Sequence, residues 1–470
     1  MQKKLLVSLL VTVALICACA LAASAVGTLA DDDYYEISTA EELDTLAKEI
    51  ASGTTGVRNQ KYRLMADIDM SEITDMIPIG VDSYAFIGEF DGNGKTVSGI
   101  KMNAETSASP VRVGFGFFGK VSNATIKNLT LRGEIHLTAT TARAYAGGVV
   151  GQVAGSSGNT TTIENCINYM RVSNPGSDSG LKATQVGTAG IVGHVGDTSG
   201  STKYLGKLVV TNCINYGTIT GSKGVGGIIG VSEVNVAANA LKISGCKNYA
   251  SVTAEKCDTS GFADVGGIVG IGYYVSIVKC ENTGAVAATA EKATKGIGGI
   301  SGRIANKAST VSSCYNGGTV PSAGHAISYS AASIGTYENN YFKIGCAENV
   351  ADKDIGIALA LDSTSAKIYK EGNATVRYIA KLTAEDSTAV ESYGMMIAQN
   401  AAQLNVQSVA YTETFEGDEK SFAVDLVGIP ATERETPIYA WAYVKLAGDV
   451  QIVLPIGPDN VSGIIERITG

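Results

Sequence analysis

The sequence predicts an all-β protein whose central part is a stack of short strands in three parallel sheets, and three observations carry that expectation. A Cys-x-Asn block recurs five times, in "ENCINY", "TNCINY", "SGCKNY", "VKCENT" and "SSCYNG", with Cys166, Cys213, Cys246, Cys280 and Cys314 spaced 47, 33, 34 and 34 apart. Each block is preceded by a glycine-bounded string: "GGVVG" at 147, "AGIVG" at 189, "GGIIG" at 226, "GGIVG" at 266 and "GGISG" at 298. Gly 56 against Pro 8 favours tight turns and closely packed strands. Periods in the thirties mean stacked repeats. Helical repeats would space apolar residues by 3.6 over a dozen positions, whereas these apolar runs are three to five long and rich in Val and Ile. In the repeat starting at 266, "GGIVG" reads as one strand and "IVKC" as a second. Asn282 to Gly284 form a turn and "AVAA" a third strand.

In chain order, residues 1–25 read as a signal peptide: Lys3 and Lys4, an apolar run from Leu5 to about Ile16, and small residues at Ala23 and Ala25 before cleavage. A lipoprotein leader acylated at Cys19 is the competing reading, and would make membrane attachment depend on that lipid. Residues 34–57 are expected to hold an N-terminal cap helix. Ser38 and Glu41 make its capping box, and Leu43, Leu46, Ala47 and Ile50 make its apolar face. Such a lid protects an open strand edge. The repeats fill 58–345, with "YENNYF" at 337–342 as the last rung. Residues 350–470 change pattern to alternating runs such as "ATVRYIAKL", "SYGMMIA", "KSFAVDLVGI" and "PIYAWAYVKL", which predict a C-terminal β-sandwich, with 346–373 as linker and first strand.

Stacked rungs lie roughly 4.8 Å apart, so residues at one rung position form a column. Asn168, Asn215, Asn248, Asn282 and Asn316 should form an amide ladder, with their backbone in the left-handed conformation that Asn tolerates. In the preceding repeat, "IKNLTLRG" puts Leu129 at the cysteine position. A slot that accepts Leu or Cys is inward and apolar. Rung-to-rung disulfides are the alternative. Without the leader seven cysteines remain, an odd number. No CxxC pair occurs and His136, His194 and His325 lie far from any cysteine, so zinc is not expected.

The stretches "FIGEFDGNGKTVSGIKM" at 86–102 and "GFGFFGKVSNATIKNLTLRG" at 114–133 resemble the GLUG-type repeat of secreted and surface-exposed bacterial proteins. Phe117 to Gly119 stand where that family has Leu-Phe-Gly. The resemblance covers about 58–345. It implies a right-handed parallel β-helix and an adhesin-like role without a defined activity.

The formal charge of −9 falls to −11 once Lys3 and Lys4 leave with the leader (34 basic against 45 acidic residues), which argues against nucleic acid or an anionic membrane as partner. β-Helix lyases and glycoside hydrolases need carboxylates from neighbouring rungs on one face. Between 110 and 345 there are only eleven Asp and Glu, and none stacks. No catalytic residue is therefore assigned, and no cofactor is implied. Glu255, Asp258 and Asp264 in the loop "TAEKCDTSGFADVGG" could hold calcium or be a solvated loop. Tyr169, Tyr216 and Tyr249 follow three ladder asparagines, as a self-packing column or an aromatic strip for sugars. Tyr439, Trp441 and Tyr443 alternate along one strand, as sandwich core or a glycan platform. The expected function is that of a secreted or cell-surface adhesin-like binding protein whose partner is a glycan or host macromolecule. A β-helix polysaccharide-degrading enzyme and a structural spacer are the alternatives.

Overall fold

The computed structural model describes residues 26–106, 112–139, 143–155, 158–176, 186–196, 206–234, 241–304, 306–369, 372–398, 407–411 and 418–469. The expected leader, with Cys19, lies outside the described residues. The architecture is all-β, with parallel sheets through the repeats. One repeat contains five short strands: Phe262–Gly266, Val269–Gly272, Val275–Val278, Glu281–Asn282 and Val286–Ala288. The first four pair in parallel with Lys295–Gly298, Ser301–Ile304, Thr310–Ser312 and Tyr315–Asn316 one repeat later. Among the described residues these strands belong to sheets of 6, 6, 11 and 16 members, the 11-stranded one also holding strands that precede the repeats and the 16-stranded one strands that follow them, and the last two strands of a repeat share the largest sheet.

The strand expected at "GGIVG" is therefore two strand ends and a bend. Gly266 closes one strand, Gly267 and Ile268 turn the corner, and Val269 opens the next. Four sheets replace the expected three because the chain folds back at this corner with almost no side-chain layer between the two arms. A Cβ on Gly270 would lie 2.6 Å from Gly230 O and Val225 N, and one on Gly266 2.2 Å from Val269 O. Only glycine lets backbone approach backbone that closely.

The interior is made of columns. Leu129, Cys166, Cys213, Cys246, Cys280 and Cys314 are at most 1% exposed, and all the repeat cysteines are free thiols. Each thiol donates to the carbonyl two residues earlier, as from Cys166 to Glu164 at 3.4 Å and Cys314 to Ser312 at 3.3 Å. The same interior holds Val210, Ile243, Ile277 and Val311 in register. Full burial of each such aliphatic contributes roughly 1.5–3 kcal/mol.

The asparagines are completely buried and bonded from rung to rung. Each Nδ2 donates to the next Oδ1: Asn168 to Asn215 at 2.8 Å, Asn215 to Asn248 at 2.8 Å, Asn248 to Asn282 at 2.7 Å and Asn282 to Asn316 at 2.8 Å. The second amide hydrogen goes to the carbonyl two residues on, for example Gly217 O at 2.9 Å and Gly284 O at 2.9 Å. These bonds offset the desolvation of each amide, which unpaired would cost roughly 2–7 kcal/mol. The expected left-handed backbone falls elsewhere. Ladder asparagines sit in strands, while the residue just before each cysteine position (Asn128, Asn165, Asn212, Gly245, Lys279, Ser313, and Asn339 before Asn340) has φ between 52° and 64°. That position turns the chain from the 11-stranded sheet into the 16-stranded one, and the turn needs positive φ where the strand does not.

Below the repeats lies α1 (Ala40–Ala51), with Leu43, Leu46, Ala47 and Ile50 buried as the apolar spacing predicts. Its capping box is one residue later than expected. Glu42 N donates to Thr39 Oγ1 (3.2 Å) and Thr39 N to Glu42 Oε2 (3.1 Å), because Thr39 is the last extended residue. Tyr34–Ile37, before it, is already a strand of the 11-stranded sheet.

After the strand Asn340–Lys343, Asp354–Ile368 adds in parallel, then pairs antiparallel with Ala374–Ala384, which pairs antiparallel with Glu419–Ile429. A second antiparallel sheet runs in the order Gln407–Tyr411, Val390–Ala398, Ile438–Leu446, Val450–Asp459. Both sheets contribute to one core that includes Tyr378, Leu382, Tyr393, Met395, Ile397 and Val444. The last strand and the terminal helix α2 (Val461–Thr469) had no sequence expectation of their own. Among the described residues no helix is long and apolar enough to cross a membrane.

Candidate functional site

Strand alternation decides which repeated side chains reach solvent. With the asparagines inward, the residue after each points out. Arg132, Tyr169, Tyr216 and Tyr249 thus form one outer column. The Tyr169 and Tyr216 rings lie 4.8 Å apart at 8°, and Tyr216 and Tyr249 lie 5.0 Å apart at 20°. The Arg132 guanidinium covers the free face of Tyr169 at 3.9 Å. Tyr169 and Tyr216 are 36% and 42% exposed, but both faces of each ring are occupied by the neighbours. What the column offers solvent is a row of ring edges and hydroxyls, flanked by the Lys247–Glu281 ion pair at 2.9 Å.

The loop carboxylates do not converge. Asp258 Oδ1 accepts from the amides of Ser260 (2.8 Å) and Phe262 (3.0 Å), closing its own turn. Asp264 is fully buried and accepts from Arg303 at 2.6 Å, and Glu255 is exposed. Burial pushes the Asp264 carboxyl up to about 7 against the pull of Arg303. Among the described residues no three His, Cys, Asp or Glu side chains gather as a metal site. His194 is buried and stacked on Tyr145 at 3.9 Å, His325 packs edge-on against Tyr329, and His136 bonds Thr138.

These contacts follow a rule that sequence inspection missed. In the first sheet of the stack, register puts Gly114, Tyr145 and Gly187 in one column. In the facing second sheet, Gln152, His194 and Val231 form another. Where the first column has glycine, the facing side chain lies over bare backbone. Where it has Tyr145 or Asp264, the facing residue is a matched partner, His194 or Arg303.

A charged cluster on the 11-stranded sheet has no signal in the sequence, because its members are brought together from separate strands ahead of the cysteine repeats. Glu89 and Asp91 both approach Lys127, at 2.7 and 3.8 Å, and the Tyr34 hydroxyl donates to Glu89. Burial pushes the Glu89 carboxyl up, but hydrogen bonds from Lys127 and Tyr34 outweigh it and hold it below the usual range. Arg63 lies 4.0 Å over the Tyr34 ring and pairs with Asp32 at 2.7 Å. Glu89 and Asp91 share Lys127 while Asp32 has Arg63, and a carboxylate held ionised, as Glu89 is, is a poor general acid.

The third aromatic set lies in the antiparallel region. Along Ile438–Leu446 the residues Ile438, Ala440, Ala442, Val444 and Leu446 face the core, so Tyr439, Trp441 and Tyr443 occupy the opposite face of that sheet. All three lie outside the core cluster shared by the two sheets, and of the three Tyr443 is itself buried. Tyr439 and Trp441 are half-buried, with ring planes 13° apart and centroids 6.2 Å apart. Tyr443 is 9% exposed, and its cross-strand neighbour Gly394 leaves the sheet low beside it. Met396 and Pro455 flank Trp441 from the adjacent strands.

No family model matches the chain. Halomucin of Haloquadratum walsbyi is 26% identical over 228 residues, a match covering 46% of this chain and 2% of halomucin's own length. Among solved structures, the enzymatically active domain of bacteriophage CBA120 tailspike protein 4 aligns with 89% of this chain and 68% of its own. Its TM-score is 0.20, at 10% identity.

Proposed function

We propose that this chain is a secreted or cell-surface, adhesin-like binding protein that takes a glycan or host macromolecule on the outer aromatic face of its C-terminal region. In this reading the GLUG-like repeats coil as a right-handed parallel β-helix, capped by α1, that carries the C-terminal strands as a β-sandwich. No cofactor takes part. The carrying observation is that Tyr439 and Trp441 lie nearly parallel on the sheet face turned away from the core, where packing does not call for them. Aromatic side chains supply large rigid contact area at low entropic cost, and a strand holding two in line is a ready surface for a ligand.

The test is a glycan and host-protein binding array probed with the full chain, the Trp441→Ala variant and the Tyr439→Ala variant. Retention by the parent chain that both variants lose is the expected result. A parent chain that binds nothing leaves the spacer reading. Release of shortened oligosaccharides from any array glycan would point to the β-helix enzyme reading instead.

A further inference from the structure

His194 is fully buried, yet neither of its ring nitrogens has a hydrogen-bond partner. Buried polar groups almost always find one, because leaving water without a replacement bond is costly. Stacking on Tyr145 occupies the face of the imidazole and leaves both nitrogens, which bond in the ring plane, unanswered. Gln152, in register with His194 on the preceding strand, donates through Nε2 to Gly196 O at 2.8 Å, and its own buried Oε1 is also without a partner.

A carboxylate, not a cysteine, meets this histidine. Glu233 directly follows Ile229–Ser232, the strand paired with Val192–Val195, and its Oε2 lies 3.4 Å from His194 Nε2. An imidazolium donating to a carboxylate would close to roughly 2.7–2.9 Å. The wider spacing fits two ligands of one ion. With bonds of roughly 2.0–2.1 Å to the nitrogen and 2.0–2.2 Å to the oxygen, atoms 3.4 Å apart subtend about 110° at the metal, the tetrahedral angle. Gly196 leaves the space beside both donors. A Cβ there would lie 2.9 Å from His194 Cε1 and 3.5 Å from Glu233 Oε2. The Glu233 side chain is 27% exposed and opens the site to solvent.

We infer that His194 Nε2 and Glu233 Oε2 bind a divalent transition-metal cation of the zinc class. An imidazole nitrogen beside a carboxylate favours such an ion over calcium or magnesium, which take oxygen ligands. Two protein donors leave the other positions of a tetrahedral ion to water. The ion ties together the ends of two neighbouring strands in the second sheet of the stack, and the aromatic face takes no part in holding it.

The test is calorimetric titration of the full chain, free of affinity tag and stripped of metal by a chelator, with Zn2+ and separately with Ca2+. The same titrations are run on Glu233→Gln and His194→Ala, their fold checked by thermal unfolding, and the visible absorption of added Co2+ reports the coordination geometry. Zn2+ should saturate at one ion per chain, about a hundredfold tighter than Ca2+, and Glu233→Gln should weaken it about tenfold or more. Co2+ should give the intense bands of a tetrahedral site, lost in Glu233→Gln. Should His194→Ala fail to fold, Glu233→Gln decides, since its side chain is partly exposed. No saturable Zn2+ binding, Ca2+ binding as tight as Zn2+, or Zn2+ binding that persists unchanged in folded Glu233→Gln would overturn the inference.

Discussion

The repeat stack and the antiparallel region solve the problem of burying strands in opposite ways. In the stack, the environment of a side chain is set chiefly by the same position one rung away, so a residue that fits once fits again. Leucine, then five cysteines, fill one slot, and five asparagines satisfy one another's amides. In the antiparallel region, neighbours come from strands of unrelated sequence. Tyr393, Met395 and Ile397 meet Tyr378, Phe422 and Val444 in a core that never repeats. The difference teaches where to look for specificity. Residues repeated along the stack are held by their copies, whereas Tyr439 and Trp441 on the second sheet have no copy and lie outside the core cluster.

The largest expected effect comes from breaking the glycine that links the two repeated strings. A Cβ on Gly267 would sit 2.2 Å from Asn282 Cγ and 2.2 Å from Gly299 O. Gly267→Ala should therefore cost about 3 kcal/mol, measured as a lowered urea midpoint at unchanged slope. Asn248→Ala removes an amide bonded on both sides, leaving one Asn215 Nδ2 hydrogen and the Asn282 Oδ1 without their ladder partner, so it should cost about 2–3 kcal/mol. Asn168→Ala, with one ladder neighbour, should cost less. Equal losses at the two positions would mean that the second ladder bond adds nothing to stability.

The junction gives a pH signature. Burial pushes the Asp354 carboxyl up to about 6, above its unfolded value of 3.8, despite a hydrogen bond from Tyr337 at 2.6 Å. The folded state therefore holds a proton that the unfolded state has lost between those values. The Asp354 contribution to stability should fall as pH rises from about 4 to about 6, by at most about 1.4 kcal/mol per unit, and then level off, while Asp264 adds a loss of the same sign that runs on to about 7. Asp354→Asn should flatten that part of the profile in pH-dependent chemical unfolding, and an unchanged slope would assign it elsewhere. Trp441→Ala should change stability by about 1 kcal/mol or less while abolishing ligand retention, which separates its role from that of the ladder. Smallest of all, Lys279→Ala removes a surface pair with Asp449 at 2.8 Å and should leave the melting curve where it was.

How much of this was legible in the sequence follows from the same contrast. The cysteine slot and the asparagine ladder were readable because each recurs at a fixed period, and Leu129 revealed the slot's polarity. The corner at "GGIVG" was not, since glycine-flanked Val and Ile read as a strand in one dimension. Only the approach of Gly267 to Asn282 and of Gly270 to the facing arm shows that these glycines make room. The same contact explains why the two strings recur together, a link with no signal in either string alone. In the C-terminal region, alternation identified the strand carrying Trp441 but not its inner face. Ile438, Ala440, Ala442 and Val444 alternate as well, and the choice is made by the opposite sheet. The Tyr34, Glu89 and Lys127 cluster needs residues from three strands of one sheet, with Lys61–Leu64 lying between the first two, a juxtaposition that no sequence spacing shows.

The pairing of Asn340–Lys343 with Asp354–Ile357 joins the stack to the antiparallel layer through main-chain bonds, with Tyr341 bonded to Ala447 across the same seam. Turning one part against the other would shear that ladder, so the joint behaves as a weld and not as a swivel. Whatever orients the long axis of the stack therefore also sets the compass bearing of the outer face of the second sheet.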